Sequence, residues 1–237
     1  QWMQNGLTVV MALSQTAGRG RFRRHWISPP DLNLYASFCF GFDAQRGDVG
    51  HLPQLLALAT VCYLEQQGLS PVIKWPNDIL LSGKKIAGIL CETASFIPLR
   101  GIVCGIGLNI NTPQEVLREI DRPATSLLVE TGYLWNKEWI LEEITSLFIL
   151  FLQRFIHEGF SPYFSLFREK LAVKRGELIT FHDNQKRVQA LFEALHPDGS
   201  VELRLPDGTC KVYYAGEFVL AENGGACFDR KQQNEGS

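Results

Sequence analysis

Between Gln15 and Trp26 the chain reads QTAGRGRFRRHW, with arginines at 19, 21, 23 and 24 and glycines at 18 and 20. Glycine allows the backbone to take positive φ and to approach a ligand closely, and successive N–H groups in such a turn form an anion-binding nest. Arginine adds fixed charge and a planar fork that grips carboxylate or phosphate. A positive loop on a chain of formal net charge −2 needs a local reason. Two remain open from the loop itself: a solvated basic surface turn, or a nucleic-acid patch.

Further along come Lys74-Trp75-Pro76-Asn77-Asp78-Ile79, then Lys84-Lys85-Ile86-Ala87-Gly88-Ile89-Leu90, then Gly105-Ile106-Gly107-Leu108-Asn109-Ile110-Asn111. In this order behind a GRGR loop, these segments resemble the biotin protein ligases, from about Leu7 to about Leu220. The combination of GRGR with KWPND carries the resemblance; either alone is weak. Three positions depart from the family pattern. Arg23 stands where the GRGRxGR loop has glycine, Asp31 stands where the SPxG element has glycine, and Leu13-Ser14 replace the acidic residue often found before Gln-Thr.

The resemblance implies two reactions: biotin and ATP give biotinyl-5′-adenylate and pyrophosphate, then a lysine on a biotin carboxyl carrier protein takes the biotinyl group and AMP leaves. It implies biotin contacts from Gln15, Gly18, Arg19, Gly20, Arg21, Lys85 and Gly88. It implies ATP contacts from Arg19, Arg21, Trp26, Asn77, Lys85, Gly107 and Asn109. Arg21, Lys85 and Asp78 are the expected catalytic residues, with Asp78 helping the incoming lysine lose its proton. A turn-forming Asp and a core tryptophan are the plain alternatives for Asp78 and Trp26. Lys84 and Lys85 alternate on a strand, so one faces water; the spacing to Ala87-Gly88 selects Lys85. Lys74 is expected in an ion pair or on phosphate. Mg²⁺ is expected with ATP, held by phosphates and water, and no dedicated metal site is expected.

The elements that must position these residues read as an α+β chain. The resemblance implies a mixed β-sheet with packed helices, as in class II aminoacyl-tRNA synthetases, over residues 1–174. A small SH3-like β-barrel is expected over 175–222, and a disordered tail over 223–237. Leu7–Leu13 reads as a buried strand and Leu32–Phe42 as a second, alternating one. A helix from about His51 to Gln67 carries the stripe Leu52, Leu55, Leu56, Ala59, Cys62 and Tyr63 and ends at Gly68. A short strand at 72–75 precedes a hairpin turning at Ser82-Gly83, with arms 79–81 and 85–91. Another strand covers 101–110, and Thr112-Pro113 opens a short helix. Helices at about 137–157 and 161–171 have apolar aromatic stripes suited to a core. Strands at 178–182, 187–195, 200–205 and 210–214 alternate with Pro/Asp/Gly turns, and Gly216-Glu217-Phe218 matches a family element near the end.

At 237 residues and 46% hydrophobic, the chain can bury an ordinary core and a small second module. The balance of charge argues against a general nucleic-acid binder, and no apolar run is long enough to span a bilayer. Cysteines 39, 62, 91 and 104 sit in apolar runs as core thiols of a reduced, cytoplasmic protein. The expected partner is a carrier protein, without nucleic acid or membrane, and the chain is expected as monomer or homodimer. Gln1–Asn5 with Gly6 reads as the last turn of a helix. The resemblance places a biotin-binding Ser-Thr-Asn stretch upstream of it and leaves no room for an N-terminal helix-turn-helix. The competing readings are a lipoate or octanoate ligase of the same superfamily and a non-enzymatic module stacking single strands on Phe22 and Trp26.

Overall fold

A computed structural model of the chain describes residues 6–96, 99–183 and 186–220. The expected N-terminal helix turn and the tail at 223–237 lie outside these residues. Among these described residues, eleven strands form two antiparallel sheets, accompanied by five α-helices. The first sheet holds β1 (Thr8–Ala12), β2 (Leu34–Asp43), β3 (Val72–Lys74), β4 (Asp78–Leu81), β5 (Lys84–Phe96) and β6 (Leu99–Leu108), in the order β1-β2-β6-β5-β4-β3. Its ladders are antiparallel, not mixed; parallel pairing among the described residues is confined to the isolated bridges Ile73–Leu171 and Lys85–Ala124.

β1 corrects a second expectation. It is an edge strand, and Val10 is 54% exposed. Its apolar run reflects one face turned to the core, where Val9 and Met11 are partly buried, and not burial on both faces. β5 is longer than expected, because its pairing with β6 continues from Ala87–Leu108 out to Phe96–Leu99. The turn between β4 and β5 has Ser82 at φ 51° and Gly83 at φ 75°, the paired positive dihedrals of a tight hairpin.

α1 (Leu52–Gln66) begins with Pro53 in its first turn, where no amide partner is lost, and stops at Gly68, φ 79°. The expected stripe is too narrow. α1 packs between the sheet and α4 (Lys137–Glu158), so Gln54, Ala57, Leu58, Thr60 and Val61 are buried too, while Cys62 is only half-buried. Asn136 caps α4 by accepting from the Trp139 amide at 2.7 Å. Its stripe Ile140, Ile144, Phe148, Leu152 and Phe155 meets Phe38 and Phe42 of β2. Short α2 (Gln114–Leu117) and α3 (Leu127–Thr131) precede it, and α5 (Ser161–Glu169) follows.

The second sheet contains β7 (Leu178–Asp183), β8 (Lys186–Leu195), β9 (Val201–Arg204), β10 (Cys210–Tyr213) and β11 (Glu217–Val219), in the order β10-β9-β8-β7-β11. No ladder joins β10 to β11 among the described residues, so the sheet is open. It is pinned to the first sheet through Trp75, 1% exposed, whose ring lies 5.3 Å from Phe218 and whose Nε1 donates to the Gly199 carbonyl at 3.0 Å. That seam brings the GE element at 216–217 to the first sheet's face.

Candidate functional site

A pocket of about 360 Å³ opens on the face of the first sheet opposite α1. The arginine loop forms one wall, Gly88, Gly105 and Gly107 of β5 and β6 form the floor, Ile120–Arg122 and Ala124 form the far wall, and Glu217 arrives from the second sheet. Pairing explains the floor. Tyr35–Gly107–Gly88 and Ser37–Gly105–Leu90 are rows across β2, β6 and β5, so their side chains share one face.

The loop is closed by backbone bonds from Gly20 N to Arg24 O (2.8 Å) and from Trp26 N to Gly18 O (2.9 Å). Its left-handed residue is Phe22, at φ 57°. Asp31, standing where the SPxG element has glycine, takes a positive φ of 59°; aspartate tolerates this region better than most residues. Gly18 lies beneath the loop and not on the pocket wall: a Cβ there would sit 2.7 Å from the Trp26 carbonyl and 2.9 Å from Gln15 Oε1. Gln15 borders the pocket and accepts from Ser28 Oγ at 3.0 Å.

One ion network runs across the pocket's base. Asp78, 6% exposed, accepts Lys85 Nζ on Oδ1 at 2.6 Å and Lys74 Nζ on Oδ2 at 3.3 Å. Lys74 reaches on to Glu217 Oε1 (3.5 Å), and Glu217 Oε2 pairs with Arg24 at 2.6 Å. Burial alone would raise the Asp78 carboxyl, but Lys85 and then Lys74 outweigh it and hold it below its ordinary value of 3.8. Arg21 donates to the Gly216 carbonyl at 3.0 Å and reaches Asn77 Oδ1 at 3.5 Å. Burial lowers its guanidinium; Glu217 and Asp78 oppose that. Lys85 is also fixed through its backbone, donating to Pro123 O (3.0 Å) and accepting from Thr125 N (2.9 Å). Lys84 faces water.

Trp26 lies flat on the floor. A Cβ at Gly107 would meet its indole at 2.5 Å, so that position must be glycine for the ring to rest there, while one at Gly88 would be a tight contact at 3.2 Å. Lys85 Nζ stands 5.2 Å from the ring centroid, a cation–π contact. The buried indole N–H has no partner among the described residues, and a buried donor left unmet is costly.

The model of the biotin/lipoate A/B protein ligase family matches residues 1–109. The chain is 31% identical over 211 residues to the bifunctional ligase/repressor BirA of Bacillus subtilis (strain 168), covering 88% of this chain and 65% of that protein. It is 29% identical over 226 residues to the biotin--[acetyl-CoA-carboxylase] ligase of Paracoccus denitrificans, covering 90% and 92%. The biotin protein ligase from Aquifex aeolicus in complex with biotin and ATP superposes with a TM-score of 0.76 at 27% identity, covering 89% of this chain and 87% of that one.

By these matches the chain is similar to the biotin/lipoate A/B protein ligase family. It spans 65% of the length of the bifunctional relatives it matches. Gln15, Arg19, Gly20, Arg21, Trp26, Asn77, Asp78, Lys85, Gly88, Gly107 and Asn109 border one pocket, and Gly18 packs against Gln15 and Trp26 of its wall. Asn77 and Asn109 are partly committed to the fold: Asn77 Nδ2 bonds the Ile89 carbonyl, and Asn109 Nδ2 bonds the Thr125 carbonyl at 3.0 Å. Lys74 makes ion pairs and does not border the pocket. Glu217, Arg24 and the 120–122 segment were not among the expected site residues. The GE motif was the sequence signal for the first and the arginine run of the loop for the second; the 120–122 segment had none.

Proposed function

We propose that this chain is an ATP-dependent biotin–protein ligase that makes biotinyl-5′-AMP and transfers biotin to a lysine of a carrier protein. The observation that carries the reading is the pairing of Arg21 with the Lys85–Asp78 couple over a glycine floor. The names of the relatives point the same way. A carboxylate and a phosphate oxygen about 4 Å apart repel by about 4 kcal/mol at an effective dielectric near 20. Arg21 and Lys85, placed beforehand, offset that repulsion as biotin's carboxylate attacks the α-phosphorus and pyrophosphate leaves.

Asp78 keeps both lysines charged and aimed. When Lys85 turns to the phosphate, Asp78 Oδ1 is released toward the pocket, and that oxygen then receives the carrier lysine's ammonium. The deprotonated amine attacks the biotinyl carbonyl and AMP leaves. Trp26 supports the adenylate with its ring and offers its indole N–H, and Asn77, Asn109 and Gly107 complete that side. Gln15, Arg19, Gly20 and Gly88 hold biotin. Mg²⁺ enters as part of the ATP substrate; the pocket carboxylates Asp78, Glu92, Asp121 and Glu217 each already pair with a cation.

Residues 1–174 act as the catalytic domain of synthetase-like type and 175–222 as an SH3-like barrel that lends Glu217 to the site. The carrier is a subunit of a biotin-dependent carboxylase, and the enzyme works in the cytoplasm as a monomer or homodimer. Pyrophosphate release from ATP is measured with biotin, lipoate or RNA, and a carrier domain is then weighed by mass spectrometry. Biotin-dependent release with one biotinyl group added to one lysine is the expected result. Release with lipoate alone would move the chain to the lipoate branch of the family, and RNA-dependent release would end the reading.

A further inference from the structure

Two cysteines on the strands that carry the pocket take no part in the proposed chemistry. Cys91 of β5 and Cys104 of β6 are directly opposed in the antiparallel ladder, so both side chains leave the sheet on the same face. Directly opposed residues have Cα atoms about 4.5–5.5 Å apart, inside the span of about 4.4–6.8 Å that a disulfide bridges. Both are free cysteines.

Their surroundings differ. Cys104 is wholly buried, while Cys91 is half-buried and lines a second groove of about 360 Å³ between Pro53, Pro76 and Tyr214. Of the two, Cys91 alone borders that groove. The other described cysteines stand elsewhere. Cys39 pairs with Val103, one residue out of step, and so faces the opposite side of the sheet. Cys62 is on α1, and Cys210 is on β10 of the other sheet.

We propose that Cys91 and Cys104 are an oxidation site that a peroxide closes into a cross-strand disulfide within the chain. The Cys91 thiolate attacks one peroxide oxygen, the O–O bond breaks, and hydroxide leaves to become water with the proton Cys91 gave up. Cys91 is then a sulfenic acid. The Cys104 sulfur attacks the Cys91 sulfur, the S–O bond breaks, and a second water carries off the Cys104 proton. The thiols together lose two electrons and the peroxide gains two.

The order of attack follows from the environment. The neighbouring Cys104 thiol holds the Cys91 thiol below its ordinary value against burial and Glu92. Cys91 in turn, with burial, pushes the Cys104 thiol up. Thiolate character and access favour Cys91 as the attacking group and Cys104 as the resolving one. The bridge falls beside the Leu90–Gly105 pair, which lines the ligand pocket.

The test treats the full chain with hydrogen peroxide and reads intact mass and a non-reducing peptide map. The expected product has lost the mass of two hydrogens, carries a Cys91–Cys104 link, and returns to the starting mass in dithiothreitol. Cys91→Ser, checked for an unchanged melting curve, should not form it; Cys104→Ala should instead stop at oxygen adducts on Cys91. Oxygen adducts on Cys91 without a link in the unsubstituted chain would overturn the proposal. So would a link through Cys210 or another cysteine, or no reaction while the chain stays folded.

Discussion

The pocket has two cationic walls built in different ways. Lys85 sits on a strand, bonded by its backbone to residues 123 and 125, and its side chain is 18% exposed against a buried carboxylate. Arg19 sits on a loop, 67% exposed, and its one ion pair, to Glu92 at 3.5 Å, is exposed as well. Arg21 lies between these extremes, half-buried and tied to the Gly216 carbonyl. Charge fixed in a dry setting acts without reorganisation as a reaction proceeds, whereas a solvated loop charge is screened until a ligand orders it. The strand wall is therefore suited to the chemical step and the loop wall to capture and retention.

Asp78→Asn should have the largest effect. It leaves Lys74 and Lys85 facing each other without their shared anion, and breaking a buried pair costs about 3–5 kcal/mol. A melting temperature equal to the parent's would mean that the network does not hold the strand wall. Asp78 also sets a pH dependence. Its folded carboxyl lies below the ordinary 3.8, so its contribution is complete above that value and is lost as pH falls through the folded one. The acid limb of the stability curve should flatten in the Asn variant.

Lys85→Ala should slow biotin-dependent pyrophosphate release by about 10²–10³-fold with little change in melting, because Asp78 keeps Lys74. Release near the parent rate would move the chemistry off the strand wall. Arg21→Ala should lose a charged anchor of about 1.5–3 kcal/mol, seen as faster escape of biotinyl-adenylate and biotin on bystander lysines. An unchanged adenylate off-rate would remove Arg21 from retention. Arg19→Ala should be mildest on stability, under about 1 kcal/mol for an exposed pair; a drop larger than Arg21→Ala causes would reverse the ranking of the two loop positions.

Much of this fold was legible in the chain itself. The 3.6-residue period at 52–66 and 137–158, the period of two at 34–43 and the Ser82-Gly83 turn each reflect interactions between near neighbours, which local spacing encodes. That the expected residues would share one pocket rested on the resemblance of their motifs and not on local spacing. β1 was misjudged because an apolar run looks the same whether a strand is central or at an edge. α1 was drawn too narrow because its second partner, α4, lies some way down the chain.

What only the tertiary structure decided is how the charges pair. Lys74 and Glu217, or Arg21 and the Gly216 carbonyl, stand far apart in sequence. They meet because Trp75 seats the 196–200 turn and brings the second sheet over the first. The same holds for Trp26, whose ring rests on Gly88 and Gly107 only because β5 and β6 pair in one register. Local pattern determined which residue types were available for the chemistry. Long-range docking determined which cation faces which anion, since Coulomb energy depends on separation in space and not along the chain.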